Sequence, residues 1–218
     1  MSGLREKQKA DRRRRIIEAA RTLFAQAGSE ATTIEAIAEA AGVSGVTVHN
    51  YYGTKAGVLL ALVTESDREL LQKMARDLPG KSSDVIDLAR RFAAIIRDHA
   101  ITFLDKKIWR QVIAASIADA DSRFGKSYHS LDHQLALVLV REIEALQKAG
   151  QVSAEVSAYD LGKAIFSLQN MRFVNFIAVD EMTDVQSDAL FTRDLCSIFV
   201  ALPAEQRAAA MRHIESAG

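Results

Sequence analysis

Apolar residues recur along the chain at helical spacing, and no stretch alternates with the period of two that is typical of a β-strand. In the first third, the apolar stripes are short and are separated by Gly28, Gly42 and Gly53. Glycine at the end of a stripe is a common helix C-cap, so each of these glycines is predicted to end a helix. This part of the chain is therefore predicted to form three small helices.

Capping residues predict where these helices begin. Thr32 and Glu35 have the spacing of a capping box, which predicts that the second helix starts after Thr32. Ser44 is a good N-cap for the short third helix, and Thr54 for a fourth helix from residue 55 to about residue 77. The turn between the second and third helices, AEAAGVSG, has the length of a helix-turn-helix connection.

Longer apolar stripes follow the break at Leu78-Pro79-Gly80. They predict helices over about 85–103, 108–117, 131–146, 157–179 and 185–202, and Pro203 suits the first turn of a last short helix. The predicted fold class is all-α: a three-helix head in residues 1–55, with helix-turn-helix geometry, and a larger helical bundle in residues 56–218.

Net charge is zero over the 218 residues, but it is distributed unevenly. Residues 1–55 contain nine Lys and Arg against six Asp and Glu, and within residues 1–21 the count is eight against three. A basic head on a mildly acidic body favours a polyanionic partner for the head, although a solvated basic tail has the same composition. The arginine run 12–15 is equally open to either interpretation.

No apolar run approaches the roughly 20 residues that span a bilayer, and the charged N-terminus lacks the apolar stretch of a secretory signal. The single Cys196 cannot form a disulfide within the chain. We therefore expect a cytoplasmic protein that does not contact a membrane.

A helical wheel of the third helix separates two faces. Val48 and Tyr52 lie together at i, i+4 and are predicted to pack against the first two helices. Val46 and Asn50 then point away from that core, with polar side chains on both sides of them. An ordinary solvated face would carry Lys and Glu, whereas this one carries a methyl-bearing side chain, a carboxamide, a hydroxyl and an imidazole.

These groups suit the major groove of DNA. Asn50 can pair with adenine N6 and N7, and Val46 can pack on a thymine methyl group. Hydroxyl groups, and Lys55 on the first turn of the fourth helix, can bind phosphates. The residues predicted to contact DNA are Thr33, Ser44, Gly45, Val46, Thr47, His49, Asn50, Tyr51 and Lys55. The structural alternative is a small helical subdomain in which Tyr51 and Tyr52 are core residues.

Three segments, RIIEAARTLFAQAG, TTIEAIAEAAGVS and VTVHNYYGTKAGVLLALV, carry a resemblance to a known family. Residues 16–62 resemble the DNA-binding head of the TetR/AcrR, or tetracycline-repressor, family of bacterial regulators. The chain departs from the usual pattern at His49, where the family usually has Tyr, at Tyr52, often Phe, and at Gly53. The resemblance implies a ligand-responsive transcriptional regulator, most often a repressor released from double-stranded operator DNA by a small organic effector. Activation and co-repression remain alternatives.

In that family the body binds a ligand, and its last two long helices form a homodimer. The segment AYDLGKAIFSLQNMRFVNFIAV is apolar on all sides, so both of its faces need to be covered, by this chain and by a second copy. A central core helix of a monomer is the alternative. The residues predicted at the dimer interface are Ile165, Phe176, Leu195 and Phe199.

Aromatic and polar side chains on apolar stripes of the body mark candidate ligand contacts. The predicted set is His99, Phe103, Trp109, Tyr128, Gln169, Asn170 and Phe173, although each of them is also compatible with an ordinary core position. Arg172 can pair with a ligand carboxylate or with an acid such as Asp194. The set predicts a mostly apolar effector with one or two polar groups.

Other functional classes receive little support. His129 and His133 stand at i, i+4, but no third metal ligand is evident, so neither a metal nor a cofactor is expected. The chain has no phosphate loop, nucleophile elbow or paired-carboxylate motif, so we do not expect an enzyme. A helical adaptor that binds protein through its head is the remaining alternative.

Overall fold

Helices make up all of the regular secondary structure in residues 2–200, the part of the chain that the computed structural model describes. Their bounds are α1 Ser2–Ala31, α2 Ile34–Ala40, α3 Gly45–Tyr52, α4 Lys55–Asp77, α5 Val85–Phe103, α6 Lys106–Ala118, α7 Arg123–Lys148, α8 Ala158–Ala178 and α9 Asp184–Val200. The all-α prediction is confirmed for these residues. The short helix predicted after Pro203 lies outside them.

The first three helices share one small core. Ile16, Phe24, Ile37 and Val48 are fully buried where α1, α2 and α3 meet. Gly28 ends the regular part of α1 as predicted, because its φ of 76° and ψ of 162° place the backbone outside the helical region. The chain then turns into α2.

The start of α2 differs from the predicted capping box by one residue. Thr33, not Thr32, is the N-cap, and its Oγ accepts a hydrogen bond from the Ala36 backbone N–H at 3.1 Å. Thr32 is buried, and its hydroxyl donates to the Gly28 carbonyl at 2.8 Å. Thr32 is therefore occupied in closing α1, which leaves the next residue to cap α2. Ser44 and Thr54 cap α3 and α4 as predicted.

In the body, α7 packs along both α4 and α8, and α5 packs against α9. α7 and α8 approach closely at Gly162, where a Cβ atom would lie 2.8 Å from the Val140 side chain. α4 contacts α1 and α3 as well as α5, α6 and α7, so it belongs to both groups of helices. None of the helices in residues 2–200 is long and apolar enough to cross a membrane.

Three of the four residues predicted at a dimer interface point into the chain itself. Ile165, Phe176 and Leu195 are buried in the body core, so the assignment of these three to the interface was wrong. The wheel of α8 is apolar all round, and the pattern alone cannot say which side faces inward. Phe199 is partly exposed, and Arg172 and Asp194 form an ion pair between α8 and α9.

Candidate nucleic-acid interface and buried cavity

The sequence of α3 holds it as a rigid, separate turn of helix. Ser44 Oγ accepts a hydrogen bond from the Thr47 backbone N–H at 3.2 Å and lies 2.8 Å from the Thr47 hydroxyl. At the other end, Gly53 adopts a φ of 72°, and its N–H donates to the His49 carbonyl at 2.8 Å. Each end of α3 thus has a hydrogen bond that closes it within the chain.

The predicted orientation of α3 is confirmed. Val48 is 0% and Tyr52 7% exposed, whereas Val46 on the opposite side is 69% exposed. His49 and Asn50 are also exposed, and Thr47 and Tyr51 are half-buried. A Cβ atom added to Gly45 would meet no other atom within 4 Å, so the start of α3 is open to close approach. Val46 is thus exposed among polar side chains on the outward face of α3.

His49 is oriented by the end of its own helix. Its Nδ1 lies 2.6 Å from the Gly53 carbonyl oxygen. Because a carbonyl only accepts, Nδ1 carries the proton and Nε2 is the nitrogen left for another molecule. A phosphate contact from Nε2 therefore requires the doubly protonated imidazolium.

Thr33 and Lys55 lie beside α3, and both also bond within the chain. The exposed Thr33 hydroxyl accepts the capping bond of α2 and keeps its own proton free to donate. The Lys55 ammonium donates to the Ser29 carbonyl at 2.6 Å, which ties the start of α4 to the end of α1. An ammonium has three donors, so this bond leaves capacity for a phosphate.

The arginine run 12–15 contacts its own chain. Arg15 donates to the Ala41 carbonyl at 3.0 Å, which links α1 to the end of α2. Arg13 lies over the Tyr51 ring at 5.4 Å from its centroid, and Arg14 pairs with Asp11 at 2.8 Å. Only Arg15 has a clear structural role, whereas Arg13 borders the exposed surface around α3.

A second candidate site lies inside the body, where α4, α5, α6, α7 and α8 enclose a narrow cavity of about 40 Å³. This volume holds one or a few water molecules, so the structure shows the cavity in a closed form. Five residues of the predicted ligand set line it: His99, Trp109, Tyr128, Asn170 and Phe173.

The other two members of that set lie elsewhere. Phe103 stacks on His99 at a ring distance of 6.3 Å and lies beneath the Arg21 guanidinium, in an open cleft between α1 and α4. Gln169 is buried but does not line the cavity, because it precedes Asn170 by one residue and so points about 100° away from it around α8. Neither residue lines this cavity, and their assignment as ligand contacts stays a prediction.

Two acids in the cavity wall, Asp67 on α4 and Asp132 on α7, were not predicted as ligand contacts. Burial raises the pKa of Asp67 to about 7, and the nearby Asp132 carboxylate adds to the rise. Burial likewise raises the pKa of Asp132 to about 6, partly offset by His129 and by the Asn170 amide. The sequence does contain a signal for the burial of Asp67. Asp67 follows Val63 by four residues and precedes Leu70 by three, so it lies on the same face of α4 as these two apolar residues.

The remaining polar groups of the wall carry no positive charge at neutral pH. His99 Nε2 lies 2.6 Å from the Ser66 hydroxyl, and burial lowers the His99 pKa, so the imidazole is neutral. The Trp109 N–H donates to the Ala100 carbonyl at 2.8 Å. Burial raises the pKa of Tyr128 well above its ordinary value. The cavity is thus aromatic and acidic.

The cavity and α3 are joined through the first turns of α7. Tyr128 lines the cavity, and Phe124, one turn earlier on the same side of α7, packs against the Tyr52 ring at 5.4 Å. Tyr52 is the buried anchor of α3. α7 therefore contacts both the cavity, through Tyr128, and the buried anchor of α3, through Phe124.

The histidine pair considered for a metal has a different environment. His129 Nε2 lies 3.1 Å from the Ser116 carbonyl, to which it donates. Within residues 2–200, no group of three or more His, Cys, Asp or Glu side chains is placed to hold a metal ion.

Known proteins resemble this chain over part or most of its length. Residues 16–62 match the family described as bacterial regulatory proteins, tetR family. The HTH-type transcriptional regulator BetI of Brucella canis is 36% identical over 104 residues, which are 48% of this chain and 49% of that protein. The fatty acid metabolism regulator protein of Bacillus subtilis is 28% identical over 109 residues, 48% of this chain and 56% of that protein. The chain thus matches about half the length of these relatives.

Solved structures share the fold over most of the chain. Thermus thermophilus FadR, in complex with lauroyl-CoA, has a TM-score of 0.65 at 20% identity and covers 88% of this chain and 95% of its own. A protein from Saccharomonospora viridis in complex with choline has a TM-score of 0.59 at 21% identity and covers 84% of this chain and 93% of its own. At such identities the likeness establishes the helical architecture alone.

Proposed function

We propose, from the premise that residues 16–62 place this chain in the tetR family of bacterial regulatory proteins, that it is a sequence-specific DNA-binding transcriptional regulator. The observation that carries the proposal is the exposed face of α3. Val46 and Asn50 project from a helix whose opposite side is buried, and the flanking hydroxyl groups are placed to hold phosphates. α3 is therefore the recognition helix, with Asn50 as the adenine reader and Val46 as the thymine-methyl contact.

The phosphate contacts in this proposal come from the rim around α3. Thr33, Ser44, Thr47 and Tyr51 donate from their hydroxyl groups, Lys55 from its ammonium, and His49 from Nε2 when the ring is charged. These contacts fix the register of α3 on the duplex without reading its sequence. Gly45 allows the backbone of α3 to approach the groove, since nothing projects from it.

Binding to DNA is tested by selecting binding duplexes from a random library and titrating the selected duplex with the purified chain by fluorescence anisotropy. We expect one preferred sequence, bound with an affinity that falls about 10³-fold or more between 50 and 200 mM salt, as for proteins that make several phosphate contacts. A chain that selects no sequence and binds no duplex at low salt would instead be a protein-binding adaptor.

The body in this proposal is the effector domain. A ligand larger than a few water molecules has to displace helices that line the cavity. Among them are α4, which packs on α1 and α3, and α7, whose Phe124 contacts Tyr52. The ligand consequently favours a conformation with a different spacing of the recognition helices. A coupling free energy of about 1–3 kcal/mol changes operator affinity by about 5–150-fold. We propose release from DNA by the effector, with repression as the unliganded state.

A homodimer is the second part of the proposal, because a helix-turn-helix protein reads two half-sites about one helical turn apart. The outward side of α8 offers small residues around Met171, which is 59% exposed, and Ile198 and Phe199 are exposed near the end of α9. A stripe of small side chains lets a second copy approach closely. The exposed members of this stripe on α8 are Ala164, Ser167, Met171, Asn175 and Ala178.

Met171→Glu is expected to convert the dimer into a monomer, because the substitution places a charge at the centre of an apolar contact that would bury it. Sedimentation equilibrium at micromolar concentration measures this change. Ile117→Glu, which alters an exposed residue on α6, is the matched control and should sediment like the wild type. A wild-type chain that is monomeric under these conditions contradicts the proposal.

A further inference from the structure

The charges around the closed cavity have one sign. Asp67 and Asp132 are the ionisable acids of its wall, and His99, its only other group that titrates near neutral pH, is uncharged at pH 7. No lysine or arginine lines the cavity. An occupant that carried a carboxylate or a phosphate would face two acids without a compensating cation in the cavity wall.

Asp67 has no hydrogen-bond partner among residues 2–200. The residue is 7% exposed, and its side chain lines the cavity. A buried polar group without a partner is costly, and a buried ionised one more so. Asp132 has the Asn170 amide as a hydrogen-bond partner, so Asp67 is the acid of the cavity wall that is left without one among residues 2–200.

Aromatic rings share the rest of the wall with aliphatic side chains of α4, α5 and α7. Trp109 and Phe173 meet edge to face, with ring centroids 5.3 Å apart, and Tyr128 also lines the cavity. The Trp109 N–H is already used on a backbone carbonyl, so the indole offers only its π surface to an occupant. Aromatic faces attract cations electrostatically, most strongly where water is excluded.

We propose that the cavity binds a small organic cation, a quaternary ammonium or a protonated amine, with Asp67 as its counter-ion and the aromatic rings around its substituents. This inference rests on the proposed function, because it gives the chemical class of the effector. Because the cavity is narrow, a bound cation has to displace helices that line it, α4 and α7 among them. The same step that neutralises Asp67 thus displaces the two helices that contact the head.

The test measures binding by isothermal titration calorimetry with the full chain at pH 8 in the absence of DNA. The probes are tetramethylammonium and choline, with 3,3-dimethylbutan-1-ol as the neutral isostere of choline and lauroyl-CoA as an acyl anion. We expect at least one of the two cations to bind, and the neutral isostere to bind at least 10-fold more weakly. Asp67→Asn should weaken cation binding at least 10-fold, whereas Asp121→Asn, on an exposed acid, should not change it.

Three results would overturn the assignment: no binding of either cation, equal or tighter binding of the neutral isostere or of lauroyl-CoA, or unchanged cation binding by Asp67→Asn. Asp67→Asn is nearly isosteric, and its far-ultraviolet circular dichroism checks that it folds. DNA binding of the same preparation separates the two proposals. Sequence-specific DNA binding without cation binding overturns only the effector class, and cation binding without any DNA binding overturns only the regulator.

Discussion

Replacing Val46 with Glu is expected to abolish sequence-specific DNA binding, with a loss of affinity of about 100-fold or more. Val46 is 69% exposed at the start of α3, where a recognition helix lies deepest in the major groove. The new carboxylate would lose the thymine-methyl contact and would face phosphates of the same charge. Because the position is exposed, the substitution leaves the core of the head unchanged.

Fluorescence anisotropy with the selected duplex measures this loss. Val156→Glu is the matched control, because Val156 is exposed in the loop after α7, at the opposite end of that helix from the Phe124 contact with Tyr52. The control should bind DNA like the wild type. Wild-type affinity in Val46→Glu, with unchanged circular dichroism and oligomeric state, would remove α3 from the DNA interface.

Replacing Asp67 with Asn is expected to stabilise the unliganded chain at pH 8 by about 2–4 kcal/mol, the scale of a pKa change of two to three units. Burial raises the Asp67 pKa in the folded chain from 3.8 to about 7. Between about pH 4 and pH 7 the folded state therefore holds a proton that the unfolded state has released. The free energy of unfolding must fall as pH rises through this window, and Asn removes that fall.

Urea unfolding at pH 4.5 and at pH 8 measures the effect. The two proteins should have similar stabilities at pH 4.5, and the variant should be the more stable one at pH 8. The groups that face Asp67, namely Asp132, Tyr128 and His99, are present in both proteins, so the difference isolates one carboxyl group. The control, Asp121→Asn, should have the stability of the wild type at pH 4.5 and at pH 8. If Asp67→Asn is no more stable than the wild type at pH 8, Asp67 is not a buried acid without a partner.

Local chemistry made the head predictable from the sequence. The periodicity of α3 separates Val48 and Tyr52 from Val46 and Asn50 without reference to other helices, and Ser44 and Gly53 mark its two ends. The error at α2 arose because Thr32 and Thr33 are both good N-caps. The Gly28 carbonyl decides between them, because it accepts a hydrogen bond from the Thr32 hydroxyl and leaves Thr33 to cap α2.

The body was less predictable because its sites depend on the packing of distant helices. α8 is apolar on both sides, so its wheel could not show that Ile165 and Phe176 face inward and Met171 outward. The cavity joins residues from five helices, and Phe103 shares the apolar stripe of α5 with His99 but emerges outside that cavity. Asp67 is absent from the predicted set, although its spacing from Val63 and Leu70 places it on the buried stripe of α4.

The central claim is that the outward face of α3 reads base pairs, and the most direct measurement is the base preference of Asn50→Ala at each position of the selected duplex. We predict that discrimination at one A·T pair falls by about 1–3 kcal/mol while preferences elsewhere persist. Gln151→Ala, on an exposed amide in the loop after α7 and outside the proposed dimer surface, should keep the wild-type preference. An unchanged preference profile for Asn50→Ala, in a protein that still binds the duplex, would contradict the account.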